Sequence, residues 1–190
     1  GDARRHVLEA SIAGSTTALQ FATTTDEALE AAEDRLLADL APHTGERLTL
    51  AQTQFARGLD ADELALLAAE LSQLNVPRGG WLFRAGDAGD AIFVSIEGEI
   101  GIHLAGSTRR LASFAPGVMV GEMAVLEGQR RSADAVAETD LVVLRLSAEA
   151  FERLRVNHPA LAAKLLHNIS LYLASRLRGL TADLAEWLGR

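Results

Sequence analysis

Pro77–Ile102 reads PRGGWLFRAGDAGDAIFVSIEGEIGI, and this stretch decides the fold. The short apolar runs WLF, AIFVSI and EIGI are separated by AGDAGD and EGE, where glycine and acidic residues favour turns. The rhythm continues outward. EIGIHL extends to Leu104, RRLASF covers 109–114 and LVVLRL covers 141–146, with AGST and APG as intervening turn signals. Short strands at this spacing predict a compact antiparallel sandwich or barrel.

Helical patterns flank the β region. Asp60, three residues before Glu63, is an N-cap for ELALLAAEL. After the last run, SAEAFERLRVNHP predicts one helix ending near Pro159. Residues 160–188 predict a longer one, with Gly179 as its weak point. The expected fold class is mainly β with flanking helices. Upstream, HVLEASIAG suits a strand, and TTTDEALEAAEDRLLADL suits a helix in which Thr24 and Glu27 have capping-box spacing. APHTGER breaks that helix. One strand and one helix bury little, so residues 1–47 are expected to be an arm and 48–190 the domain.

The 190 residues include 48% apolar ones and carry a net charge of −8, so a general nucleic-acid surface is not expected. Without cysteine there is no disulfide, thiolate metal site or cysteine nucleophile. The five histidines have no metal-ligand spacing, so no metal or cofactor is expected. No run approaches the roughly 18 apolar residues of a membrane span. The start, GDARRHVLEA, has no signal core and no initiator methionine; a cytoplasmic piece of a longer protein is expected.

VGEMAVLEGQRRSADAV, Val120–Val136, interrupts the strands with small residues, a natural place for a ligand. Gly121 permits close backbone approach. EMAVL suits one helical turn, whose free amides favour an anion. Arg131 offers a rigid donor fork matching phosphate oxygens, and Ser132 adds a hydroxyl. Glu122 suits a sugar hydroxyl beside the phosphate. The alternative is a surface Glu122–Arg131 salt bridge worth about 0–1 kcal/mol.

From Leu48 to Leu188 the chain resembles the cyclic-nucleotide-binding domain family, which includes the bacterial catabolite activator, regulatory subunits of cAMP-dependent protein kinase and cyclic-nucleotide-regulated channels. PRGGWLFRAGDAGDAIFVSIEGEIGI resembles the family's opening strands, and FAPGVMVGEMAVLEGQRRSADAVAETDLVVLRL its phosphate-binding cassette. The resemblance implies a jelly-roll barrel (a double-stranded β-helix) with a C-terminal lid helix. It implies that Gly121, Glu122, Met123, Ala124, Arg131, Ser132 and Ala133 hold a cyclic nucleotide. Glu122 would take the ribose 2′-hydroxyl and Arg131 the cyclic phosphate, with amides near Met123, Ala124, Ser132 and Ala133 completing the cradle. Val120 and Arg130 depart from the frequent phenylalanine and proline. In ASRLRGLTADL, the lid, Thr181 falls where a hydroxyl meets the purine, and Arg176 and Arg178 are further candidates. FATTTDEALEAAEDRLLADL resembles the closing helix of STAS domains that precede such a domain in SulP-type anion transporters and certain glutaminases.

The expectation is a cyclic-nucleotide sensor without chemistry of its own, cAMP being favoured over cGMP by family frequency. The parent would be a bacterial transporter, membrane-associated, or a glutaminase. The alternatives are a catabolite-activator-type regulator without its DNA-binding part, or a degenerate domain that binds nothing. The stripe Leu166, Ile169, Leu173, Leu177, Leu180, Leu184 and Trp187 suits either packing on the barrel or pairing two subunits.

Overall fold

The computed structural model describes residues 47–106 and 110–188. The upstream strand and helix and the STAS-like reading lie outside the described residues, as do the side chains of Leu180, Leu184 and Trp187. A 3₁₀ turn, Leu50–Gln52, precedes α1, Ala61–Ala69. Asp60 caps α1 as its spacing predicts. Its Oδ1 accepts from the Glu63 amide at 2.9 Å, and Glu63 Oε2 accepts from the Asp60 amide at 3.0 Å. This reciprocal pair satisfies two otherwise free donors.

The strands are β1 (Leu71–Val76), β2 (Trp81–Phe83), β3 (Ala91–Glu97), β4 (Ile100–His103), β5 (Arg110–Phe114), β6 (Met119–Val120), β7 (Asp134–Ala137) and β8 (Leu141–Ser147). The six-residue α2, Glu122–Glu127, lies between β6 and β7; α3 (Ala148–Asn157) and α4 (Pro159–Leu188) follow β8. Among the described residues two antiparallel sheets result, with orders β1-β8-β3-β6 and β2-β7-β4-β5. This is the mainly β fold with flanking helices expected from the sequence. Met119–Val120, Asp134–Ala137 and Leu71–Val76 lie outside the expected strand runs, so the ends of Val120–Val136 belong to strands; the longest of the three is Leu71–Val76. Its four central residues are exposed, so it lacks an apolar signature, and its full-length pairing with β8 makes it a strand.

β3 explains how two cores share one sheet. Ala91 to Ile96 are all buried. Ile92 and Val94 join Phe55, Leu67, Phe151 and Leu165 under the helices. Ala91 and Phe93 point the other way, to Ile100, Ala135 and Val143 between the sheets. Alternation along a strand produces this division.

α4 begins at Pro159, as Pro at a first helical position permits. Leu161, Leu165 and Ile169 are buried, and Leu166 and Leu173 are partly buried against the same core. The early part of the leucine stripe therefore packs on its own domain, while Leu177 is 66% exposed. Buried Asn168 donates to the carbonyls of Phe55 and Arg57, both at 2.9 Å, tying α4 to the segment before α1. No described helix is long and apolar enough to cross a membrane.

Candidate functional site

β6 delivers the chain to Gly121, whose φ of 82° lies in the left-handed region. A Cβ there would come within 2.4 Å of Arg131 Nη1. Only glycine combines this backbone with so close an approach. Arg131 Nη1 donates to the Gly121 carbonyl at 2.7 Å, and Nη2 donates to the Ala91 carbonyl at 2.8 Å and to Asp90 Oδ1 at 3.1 Å. Nε is buried and has no hydrogen-bond partner among the described residues. Three of the five guanidinium protons are therefore engaged, and two remain for an acceptor.

Arg131 is only 3% exposed. Its guanidinium carbon lies 4.4 Å from the Phe83 ring centroid and 5.6 Å from that of Phe93, where the ring faces attract a cation. Burial lowers its pKa, and the charges of Asp90, Asp87 and Glu122 oppose that shift. A buried cation with open donors suits an anion.

Glu122 opens α2 and is 1% exposed. Burial raises its pKa, against the pull of its own amide and the charges of Arg176 and Arg131. Arg176, from α4, brings Nη1 to 3.7 Å of Glu122 Oε1, an ion pair longer than a hydrogen bond. The Arg176 guanidinium also lies 4.6 Å from the Phe114 ring and 5.6 Å from the Tyr172 ring. Burial pushes the Tyr172 hydroxyl up to about 12.

A cavity of about 80 Å³ brings together Gly121, Glu122, Met123, Ala124, Arg131, Ser132 and Ala133. Arg176, Phe83 and Ile102 also line it; of these only Arg176 was singled out in the sequence. A larger groove of about 420 Å³ lies beside Leu48, Leu71 and Leu144. Its one charged lining residue, Arg47, donates to Gln73. Thr181 is not among the residues lining either cavity; its hydroxyl donates to the Leu177 carbonyl at 2.8 Å.

The two departures from the family pattern have physical roles. Val120 is buried between the sheets. Arg130 Nη1 donates to the Gly86 carbonyl at 2.7 Å, bracing the turn before β3. Asp90 lies in the AGDAGD turn. It also receives Arg131 and Arg145, which lie 41 and 55 residues away, so no local sequence signal reveals it.

Residues 73–158 match the model of the cyclic nucleotide-binding domain. This segment belongs to that family. Over 154 residues the chain is 34% identical to Glutaminase 1 of Bradyrhizobium diazoefficiens, covering 80% of this chain and 25% of the glutaminase. Over 124 residues it is 36% identical to the Cyclic AMP receptor protein of Thermus thermophilus, covering 64% of this chain and 56% of the receptor. The crystal structure of Thermus thermophilus catabolite activator protein superposes with a TM-score of 0.59 at 34% identity, over 70% of this chain and 62% of that one. The cyclic nucleotide-binding domain thus shares the fold of the Thermus thermophilus catabolite activator protein, a jelly roll. The chain spans about a quarter of the glutaminase and just over half of the receptor.

Proposed function

We propose that this domain is a cAMP sensor, a regulatory module with no chemistry of its own. The observation that carries the reading is buried Arg131, with Nε unpartnered among the described residues, in one cavity with buried Glu122. The guanidinium offers donors to a cyclic phosphate, and the carboxylate an acceptor for the ribose 2′-hydroxyl. Ser132 and the backbone of Met123, Ala124 and Ala133 supply the rest of the cradle. The relative named for cyclic AMP supports cAMP over cGMP. The cavity is smaller than the roughly 300–1,000 Å³ of ligand pockets, so Arg176 and α4 must yield as the nucleotide enters.

The match to the glutaminase covers 80% of the chain, more than residues 48–190 alone supply, and so reaches into the arm. This supports a glutaminase parent in which the arm and sensor sit together; a SulP-type transporter rests on the STAS-like resemblance of the arm alone. Pairing of two copies through α4 fits exposed Leu171 and Leu177.

Titration calorimetry with cAMP and with cGMP tests the sensor reading. Binding of cAMP tighter than cGMP is expected; no heat with either at millimolar concentration would overturn it. Arg131 also braces the carbonyls of Gly121 and Ala91, so Arg131→Ala is expected to lower stability as well as affinity. Arg131→Lys keeps the charge and loses the fork. It should cost on the order of tenfold in affinity, and Arg131→Ala on the order of a hundredfold.

A further inference from the structure

Asp90 stands between two arginines. Its Oδ1 accepts from buried Arg131 at 3.1 Å, and its Oδ2 accepts from Arg145 on β8 at 2.8 Å. The contact with Arg145 is the shorter, although Arg131 is the buried partner. The antiparallel register explains the proximity, since Arg145 pairs with Phe93, three residues past Asp90. The Asp90 carbonyl also accepts from the Ala148 amide at 2.7 Å, which fixes Asp90 against the start of α3. The Asp90 side chain is 55% exposed, and its partial burial works against the charged carboxylate. The hydrogen bond and charge of Arg145, and then the charge of Arg131, nevertheless hold its pKa below the ordinary value.

We propose that Arg145 is a positioning residue of the anion site: it engages one oxygen of Asp90, so that this carboxylate neither captures Arg131 nor weakens its pull on a bound phosphate. The inference rests on the sensor reading. Without Arg145, both Asp90 oxygens are free to close on Arg131, whose remaining donors the phosphate needs. Asp90 does not line the cavity, but its uncompensated charge would lie behind Arg131 and weaken that cation's pull on an anion. Glu149, in the first turn of α3, also feels the charge of Arg145 and shares its field.

The test is a double-mutant cycle read by cAMP calorimetry. Arg145→Ala should weaken binding about three- to tenfold, and Arg145→Lys should restore most of the loss. In an Asp90→Asn background, Arg145→Ala should change affinity by less than about twofold. An equal loss in both backgrounds would show that Arg145 acts on the ligand directly or on the fold, and no loss in the wild-type background would overturn the role outright. A second measurement needs no nucleotide. Carbon NMR of the Asp90 carboxyl in ligand-free protein should show its pKa rise on Arg145→Ala, and an unmoved pKa overturns the inference. Failure of the wild-type chain to bind cAMP or cGMP instead defeats the sensor reading, while the NMR titration still decides whether Arg145 holds Asp90.

Discussion

Glu122 is a carboxylate that the fold does not favour. Burial raises its pKa above the ordinary 4.5, so the native state keeps the proton to higher pH than the unfolded chain does. Stability contributed by the protonated group is therefore lost as pH rises from 4.5 through the raised native value, and the deficit persists above it. Glu122→Gln removes that penalty, although it also removes the ion pair with Arg176. Because that pair is long, at 3.7 Å, the burial effect should dominate. Thermal unfolding of Glu122→Gln at pH 7 should occur at or above the wild-type temperature, and the difference should shrink towards pH 4. A clearly lower melting temperature at pH 7 would mean that Arg176 outweighs burial. On the sensor reading the same variant should bind cAMP about tenfold more weakly, because an amide oxygen is a poorer acceptor for the ribose hydroxyl. Stability and binding would then move in opposite directions at a single residue.

Among the elements, α4 links the cavity to the helical core. Lys164 pairs with Glu63 of α1 at 2.7 Å, Asn168 holds two carbonyls before α1, and Arg176 reaches Glu122 and Phe114. Arg176 is the last described anchor between α4 and the sheets. Beyond it comes Gly179, which costs about 1 kcal/mol relative to alanine within a helix. Arg176→Ala should therefore speed amide hydrogen exchange from Leu177 to Leu188 and leave the rates around Leu165 unchanged. Equal protection in variant and wild type would show that the end of α4 is held by something else. Bound cAMP should slow exchange over the same span if the helix closes over the base. The elements were unequally legible in the sequence. β3 announced itself through an apolar run, and α1 through Asp60 and Glu63. β1 did not, because its exposed residues are made a strand by β8, which lies about 70 residues further along. The cassette residues were recognisable because Gly121 to Ala133 are nearly contiguous. Asp90, Phe83 and Ile102 reach the site only through the closure of the two sheets, which no local pattern records.

For the molecule as a whole, the question is how much chain the site requires. The residues lining its cavity run from Phe83 to Arg176, and the core beneath the helices draws on residues from Leu50 onward. The segment just before Leu50 is also engaged. The Leu48 amide donates to the Ile96 carbonyl at 2.8 Å, and Arg47 donates to Gln73 on β1. A cut at Leu48 would remove Arg47 and put a charged terminus where a β3 carbonyl needs an amide. A chain beginning at Gly45 keeps both contacts. It should unfold cooperatively and bind cAMP within about threefold of the full chain, a difference below 1 kcal/mol. A chain beginning at Thr49 should lose stability, since Ile96 and Gln73 lose their partners. Comparing the two shortened chains with the full one by thermal unfolding and calorimetry separates the contributions. If the chain from Gly45 folds but binds tenfold or more weakly, residues 1–44 act on the cavity or on α4, and the arm is part of the sensing machinery.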